Sequence, residues 1–157
     1  MNKSQDFFNR ADKNITQWMA KYGLLLLRLS IGIVFFWFGI LKFIPGLSPA
    51  QDLAIRTIDL LSFGLIPGNL SINLLAAWEV VIGIGLLSGV YMRTTLLLLF
   101  LQMIGTMTPV FLFPSEVFTK IPYAPTLEGQ YIIKNLVIIS AGFVLGTTVR
   151  KRSRSTR

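Results

Sequence analysis

Four long apolar stretches separated by short polar gaps dominate the chain: about Gly23 to Pro45, Leu70 to Tyr91, Thr94 to Phe113 and Tyr131 to Val149. Each is near the roughly 20 residues that an α-helix needs to cross bilayer hydrocarbon. The pattern therefore predicts an all-α integral membrane four-helix bundle over residues 23–149. Ahead of it, Phe7, Phe8, Ala11, Ile15, Trp18, Met19 and Tyr22 recur at helical spacing, while Lys3, Asp6, Arg10, Lys13, Asn14, Gln17 and Lys21 fill the other positions. Residues 1–22 are expected to form a basic amphipathic helix lying in the membrane interface. Apolar and charged residues alternate there, unlike the blocks of a signal peptide, so the segment is expected to be retained. Residues 150–157 form a basic tail. No internal repeat is visible.

The two longer connections carry their own patterns. In Gly46 to Asn69, Ser48 followed by Pro49 is a favoured helix start, and Leu53, Ala54, Thr57, Ile58 and Leu61 then recur on one face. A short outer-surface helix is expected between the first two spans, with Asp52, Arg56 and Asp59 on its other face. The connection from Phe113 to Gln130 holds Pro114, Pro122 and Pro125 with Glu116, Lys120, Tyr123 and Glu128, and reads as an irregular lid. Either segment is suited to cover a cavity in the bundle.

Composition agrees with the pattern. Of 157 residues, 53% are hydrophobic and 14% charged, far below the roughly one quarter typical of soluble domains. Zero Cys and zero His exclude disulfides, thiol redox chemistry and the common cysteine- or histidine-ligated metal centres, so any redox role requires a diffusible partner. The net charge of +8 does not point to nucleic acid, because the basic residues gather beside apolar runs. Lys3, Arg10, Lys13 and Lys21 precede the first span, Arg93 lies in the short second connection, and Arg150, Lys151, Arg152, Arg154 and Arg157 end the chain. The longer connections carry only Arg56 and Lys120. The positive-inside rule then places both termini and the short turn near Arg93 on the cytoplasmic side of a multi-pass membrane protein.

The candidate chemistry lies in residues that hydrocarbon disfavours: Arg28 and Lys42 in the first span, Glu79 in the second, Gln102 in the third, Lys134 and Asn135 in the fourth. A charge at the bilayer centre costs about 2.5–3.5 kcal/mol on insertion scales, so such groups pair or face a wet cavity. Arg28, Gly32, Phe35, Gly39 and Lys42 share one stripe, expected to face the bundle. Ala76, Glu79, Gly83 and Leu86 form another, and Gly85 with Gly89 makes a GxxxG better read as packing within one chain than as a dimer contact. By helical rise Glu79 is expected at mid-depth, Lys42 and Lys134 one turn below the outer surface, and Arg28 in the cytoplasmic half. Pairing of Glu79 with one or more of these cations would leave a positive interior suited to an anion or a carbonyl. Snorkelling of the cations to the headgroups, with Glu79 hydrogen-bonded in the bundle, is the competing arrangement. Gln102, Thr106 and Pro109 share a face of the third span and read first as interhelical bonding and a kink.

Three runs of residues resemble the DoxX-like small four-helix membrane proteins, including the branch associated with bacterial resistance to reactive chlorine. They are Leu27-Arg28-Leu29-Ser30-Ile31-Gly32 leading to Trp37-Phe38-Gly39-Ile40-Leu41-Lys42-Phe43, then Trp78-Glu79 followed by Gly83 and Gly85, and Gly129-Gln130-Tyr131-Ile132-Ile133-Lys134-Asn135-Leu136. The resemblance implies a bacterial inner-membrane protein and a redox-linked subunit or accessory in oxidative or sulfur stress, working with a quinone and with a membrane or periplasmic redox partner protein. Lys42, Lys134 or Arg28 would bond the quinone carbonyls, Trp37 or Trp78 would stack on the ring, and Glu79 would handle the proton. A membrane scaffold or assembly factor and a small-anion transporter, as a monomer or homo-oligomer, stay open beside it.

Overall fold

In the computed structural model, which describes residues 3–48 and 50–154, the long helices are α1 (Lys3–Leu41), α3 (Gly68–Ser88), α4 (Met92–Met107) and α7 (Leu127–Arg154). Between them lie α2 (Gln51–Leu61), two single turns α5 (Pro109–Leu112) and α6 (Pro114–Val117), and a small antiparallel hairpin of β1 (Phe118–Lys120) and β2 (Ala124–Pro125). Pro49 and residues 155–157, part of the expected helix start and basic tail, lie outside the described residues, as do Met1 and Asn2. Four helices are long and apolar enough to cross a membrane: Phe7–Leu41, Gly68–Ser88, Met92–Leu112 and Leu127–Val149. An even number of spans puts both terminal segments at one end, the terminal side, and the longer connections at the other, the loop side.

The expected interfacial helix is not a separate element. α1 runs unbroken for 39 residues, about 58 Å at the usual helical rise. No proline interrupts it, and the single Gly23 between the amphipathic and apolar parts does not end a helix already propagating from both sides. The third span does break where its proline stands, because Pro109 has no N–H to continue the ladder; α4 stops at Met107 and α5 restarts at Pro109.

α1 lies antiparallel on α3, and small residues bring the two backbones together. A Cβ on Gly83 would stand 2.5 Å from Phe36 N and 2.7 Å from Phe36 Cα. One on Gly39 would stand 2.9 Å from Val80 N. The GxxxG glycines are likewise spent inside the chain: Gly85 abuts Thr95, and Gly89 abuts the Arg28 guanidinium. The core of Ile31, Phe35, Ile82, Leu86, Leu99, Ala141 and Leu145 fills the terminal-side half of the bundle. α1 packs chiefly on α3 and α7 chiefly on α4, which leaves the seam between α1 and α7 thinly packed.

The close contact fixes an offset. Gly39 lies beside Glu79 and Val80, so α1 ends level with the middle of α3, about 14 Å short of α3's first residue. Lys42 therefore sits far deeper than one turn below the loop-side surface, the depth expected from its place in the first apolar stretch. α2 fills the space beyond the end of α1, with Leu53 and Thr57 buried and Ile55 against Gly68. Its cap is not Ser48: Ala50, in the left-handed region at φ 55°, precedes the first turn.

The expected irregular lid is more ordered than its prolines suggest. Thr126 explains why: its hydroxyl donates to the Glu116 carbonyl at 2.7 Å and accepts from Gly129 N–H at 3.1 Å. One side chain thus caps α7 and ties the hairpin to α6. Gly83→Ala is expected to push α1 from α3, lowering stability by about 1–3 kcal/mol. Gly105→Ala, with nothing within 4 Å of the new carbon, should leave it unchanged or raise it by up to about 1 kcal/mol. Thermal unfolding of both variants in detergent checks this.

Candidate functional site

The site begins at Gly39. Its missing side chain lets α3 approach, and three successive i to i−3 backbone bonds from Lys42, Phe43 and Ile44 tighten the chain just past α1. This keeps Lys42 on the α3-facing stripe, where its Nζ donates to Glu79 Oε2 at 2.6 Å. From the other side Gln102 Nε2 donates to Glu79 Oε1 at 2.7 Å. Both carboxylate oxygens are therefore bonded, and Glu79 is only 8% exposed. Because an amide nitrogen must face the carboxylate, Gln102 Oε1 points elsewhere; it is buried and has no hydrogen-bond partner among the described residues.

This network forms part of the wall of a cavity of about 510 Å³, within the 300–1,000 Å³ usual for small-molecule sites. α2 roofs it with Leu53, Ala54, Thr57, Ile58 and Leu61, the face that the spacing of apolar residues marked out. α7 contributes Glu128, Tyr131, Lys134 and Asn135, and α4 contributes Gln102 and Thr106. Most of the lining is hydrocarbon or aromatic, with polar groups at a few points. Asn135 Nδ2 donates to Thr106 Oγ1 at 3.3 Å, linking α7 to α4. Lys134 has no carboxylate partner among the described residues; its Nζ stands 5.7 Å from the Tyr131 ring centroid.

The structure thus brings Lys42, Glu79, Gln102, Lys134 and Asn135 to one cavity, with Trp78 at its wall. Trp78 donates its indole N–H to Leu98 O at 3.1 Å, which fixes the ring between α3 and α4. Two expected members are not there. Trp37 is 63% exposed on the outer surface, because Phe35 faces the core and two residues turn the helix by about 200°. Arg28 lies 14 residues from Lys42, about 21 Å along the same helix, at the terminal side against Gly89. It cannot reach Glu79 or the cavity. Of the three cations considered for Glu79, only Lys42 is bonded to it.

Sequence reasoning placed Gln102 behind the charged residues, although a signal was present. Glu79 lies 12 residues before Tyr91 and Gln102 lies 11 after it, so an antiparallel pair of helices turning there sets them at one depth. A second feature had no such signal. Arg56 of α2 forms a two-pronged salt bridge with Glu116 of α6, one prong at 2.7 Å from Nη1 to Oε1 and the other from Nη2 to Oε2. The hydrogen bonds to Glu116 raise the already high Arg56 pKa, opposed by slight desolvation. The guanidinium therefore stays charged throughout the neutral range, and this exposed link between roof and hairpin responds to ionic strength.

The pattern of the DoxX family matches residues 23–114, more than half of the chain. The chain belongs to the DoxX family. The match covers the part of α1 from Gly23 onward together with α3 and α4 and so includes Lys42, Glu79 and Gln102, while Lys134 and Asn135 of α7 lie beyond it. No curated protein and no solved structure matches the chain. This DoxX-family protein is a multi-pass membrane protein with four spanning helices, consistent with a bacterial inner membrane.

Removing one partner of a buried pair strands the other. Lys42→Met alone is expected to destabilise this DoxX-family protein by about 3–5 kcal/mol, and adding Glu79→Gln should recover a large part of the loss. Unfolding curves of the single and double variants read this directly; a double variant no more stable than Lys42→Met would contradict the pairing.

Proposed function

We propose that the cavity takes the head of a lipid-borne quinone and that the protein is a quinone-associated subunit or accessory in oxidative or sulfur stress. The single observation that carries this reading is an apolar, ligand-sized cavity inside a membrane bundle with acceptors and donors in one wall. Among the described residues Gln102 Oε1 has no hydrogen-bond partner and Lys134 no carboxylate partner. These residues fit the group. Lys134 would donate to a carbonyl oxygen, Gln102 Oε1 would accept from a hydroxyl of the reduced form, and the Trp78 and Tyr131 rings would bound the apolar part.

When bound, a quinone supplies the electron-carrying chemistry that a chain without cysteine or histidine lacks. The protein's part is to orient it, exclude water with α2 and hold a proton at Glu79, where Lys42 and Gln102 keep the carboxylate aimed. Electrons would come from a membrane or periplasmic partner protein. The resemblance to the reactive-chlorine-resistance branch supports a stress role, and the concentration of basic residues at the terminal side supports cytoplasmic termini. A second reading, a membrane scaffold or assembly factor, draws support from the Glu79 network, whose two carboxylate oxygens are already bonded within the bundle.

Titration of a short-chain quinone analogue into the protein in lipid nanodiscs tests the first reading. Saturable binding is expected, weakened roughly tenfold or more by Lys134→Ala with an unchanged melting temperature, since a hydrogen bond to a charged donor contributes about 1.5–3 kcal/mol. Absence of saturable binding would leave the scaffold reading.

A further inference from the structure

A second cavity, of about 380 Å³, lies at the opposite end of the bundle and plays no part in the site above. Its lining is apolar apart from Arg28 and Thr148: Leu24 and Leu25 from α1, Met92 from the start of α4, Leu145 and Val149 from α7. Arg28 is half-buried, with its guanidinium packed against Gly89. Among the described residues it has no hydrogen bond and no ion pair, and no carboxylate lines the cavity. Five N–H donors and a full charge are left to an outside partner.

The depth of Arg28 says what that partner is. Gly89 caps α3 and α4 begins at Met92, so the turn marks the terminal-side edge of two spanning helices. Arg28, beside Gly89, stands at the boundary between hydrocarbon and headgroups, where lipid phosphates lie. Lys21 is seven residues earlier on the same face of α1, so the approach is positive. Leu24 and Leu25 are exposed to the surrounding hydrocarbon, and the seam between α1 and α7 is thinly packed, which leaves a groove for an acyl chain below the charge.

We propose that this cavity is a binding site for the phosphate group of an anionic lipid from the terminal-side leaflet. Arg28 is its ligand through the two-pronged geometry that guanidinium and phosphate share. An acyl chain lies against Leu24, Leu25 and Val149. The site is independent of the quinone reading, since it lies about 21 Å from Lys42 along α1.

Native mass spectrometry of the full chain, stripped of lipid in mild detergent and titrated with phosphatidylglycerol, phosphatidylcholine or inorganic phosphate, tests it. Phosphatidylglycerol is expected to form a saturable one-to-one adduct at least tenfold tighter than phosphatidylcholine. Arg28→Gln should lose that preference, while Arg93→Gln, outside the cavity lining, retains it. Should Arg28→Gln fail to fold, Val149→Trp fills the groove without touching the charge and is expected to weaken the adduct at least tenfold. Equal binding of the two lipids, or loss of preference in Arg93→Gln alone, would overturn the site. Displacement by millimolar inorganic phosphate would overturn the lipid as occupant and identify a free-anion site.

Discussion

Glu79 places a carboxylate halfway along α3, at a depth where hydrocarbon surrounds the bundle and an unpartnered charge costs several kcal/mol. Two neighbours meet that demand, one from each flanking helix, and each needs a particular backbone arrangement. Lys42 reaches Glu79 only because Gly39 and Gly83 let α1 and α3 touch backbone to backbone. Gln102 reaches it because α3 and α4 form a tight antiparallel pair about Tyr91. The carboxylate is thus the point at which three helices are fixed in height. A bundle satisfied only by apolar packing would have no reason to end α1 so far below the start of α3.

That offset is also what makes a cavity. With α1 ending level with Glu79, the loop-side half of the bundle has three spanning walls, and α2 serves as the fourth side and roof. The same polar groups that satisfy Glu79 are consequently part of the lining of an apolar chamber. Lys134 and Asn135 complete its polar wall from α7. Among the described residues Lys134 has no carboxylate partner and the outward oxygen of Gln102 no hydrogen-bond partner, and on the proposed reading both are left to a ligand. The roof is held by Arg56 and Glu116, between two connections that each carry turn residues with positive φ or proline. Long-range coupling of this kind ties the least regular parts of the chain to the most regular ones.

Much of this was legible in the residues. Apolar run length gave four spans, and the spacing of Leu53, Ala54, Thr57, Ile58 and Leu61 gave the buried face of α2 before any partner for it was known. The one-stripe arrangement of Gly32, Phe35, Gly39 and Lys42 gave the α3-facing side of α1. What failed was depth and rotation. Each apolar stretch was centred in the membrane on its own, which put Lys42 near the surface and brought Arg28 within consideration for Glu79. Relative height depends on where small residues on two helices meet, and that is a property of the pair. Trp37 failed because the aromatic cluster around it covers every face of the helix, so only the position of Phe35 decides which ring points outward. The ion pair of Arg56 with Glu116 spans sixty residues and had no local signature.

That the Glu79 network faces a ligand chamber rather than a sealed core is our proposal. It is tested most directly by a density map of the protein in lipid nanodiscs with a quinone analogue carrying a heavy atom on its ring. The heavy atom is expected between α2 and α7, with an analogue oxygen within hydrogen-bond distance of Lys134 or Gln102 Oε1. A chamber filled by inward-turned side chains, with the analogue absent or lying on the outer surface by Trp37, would contradict it.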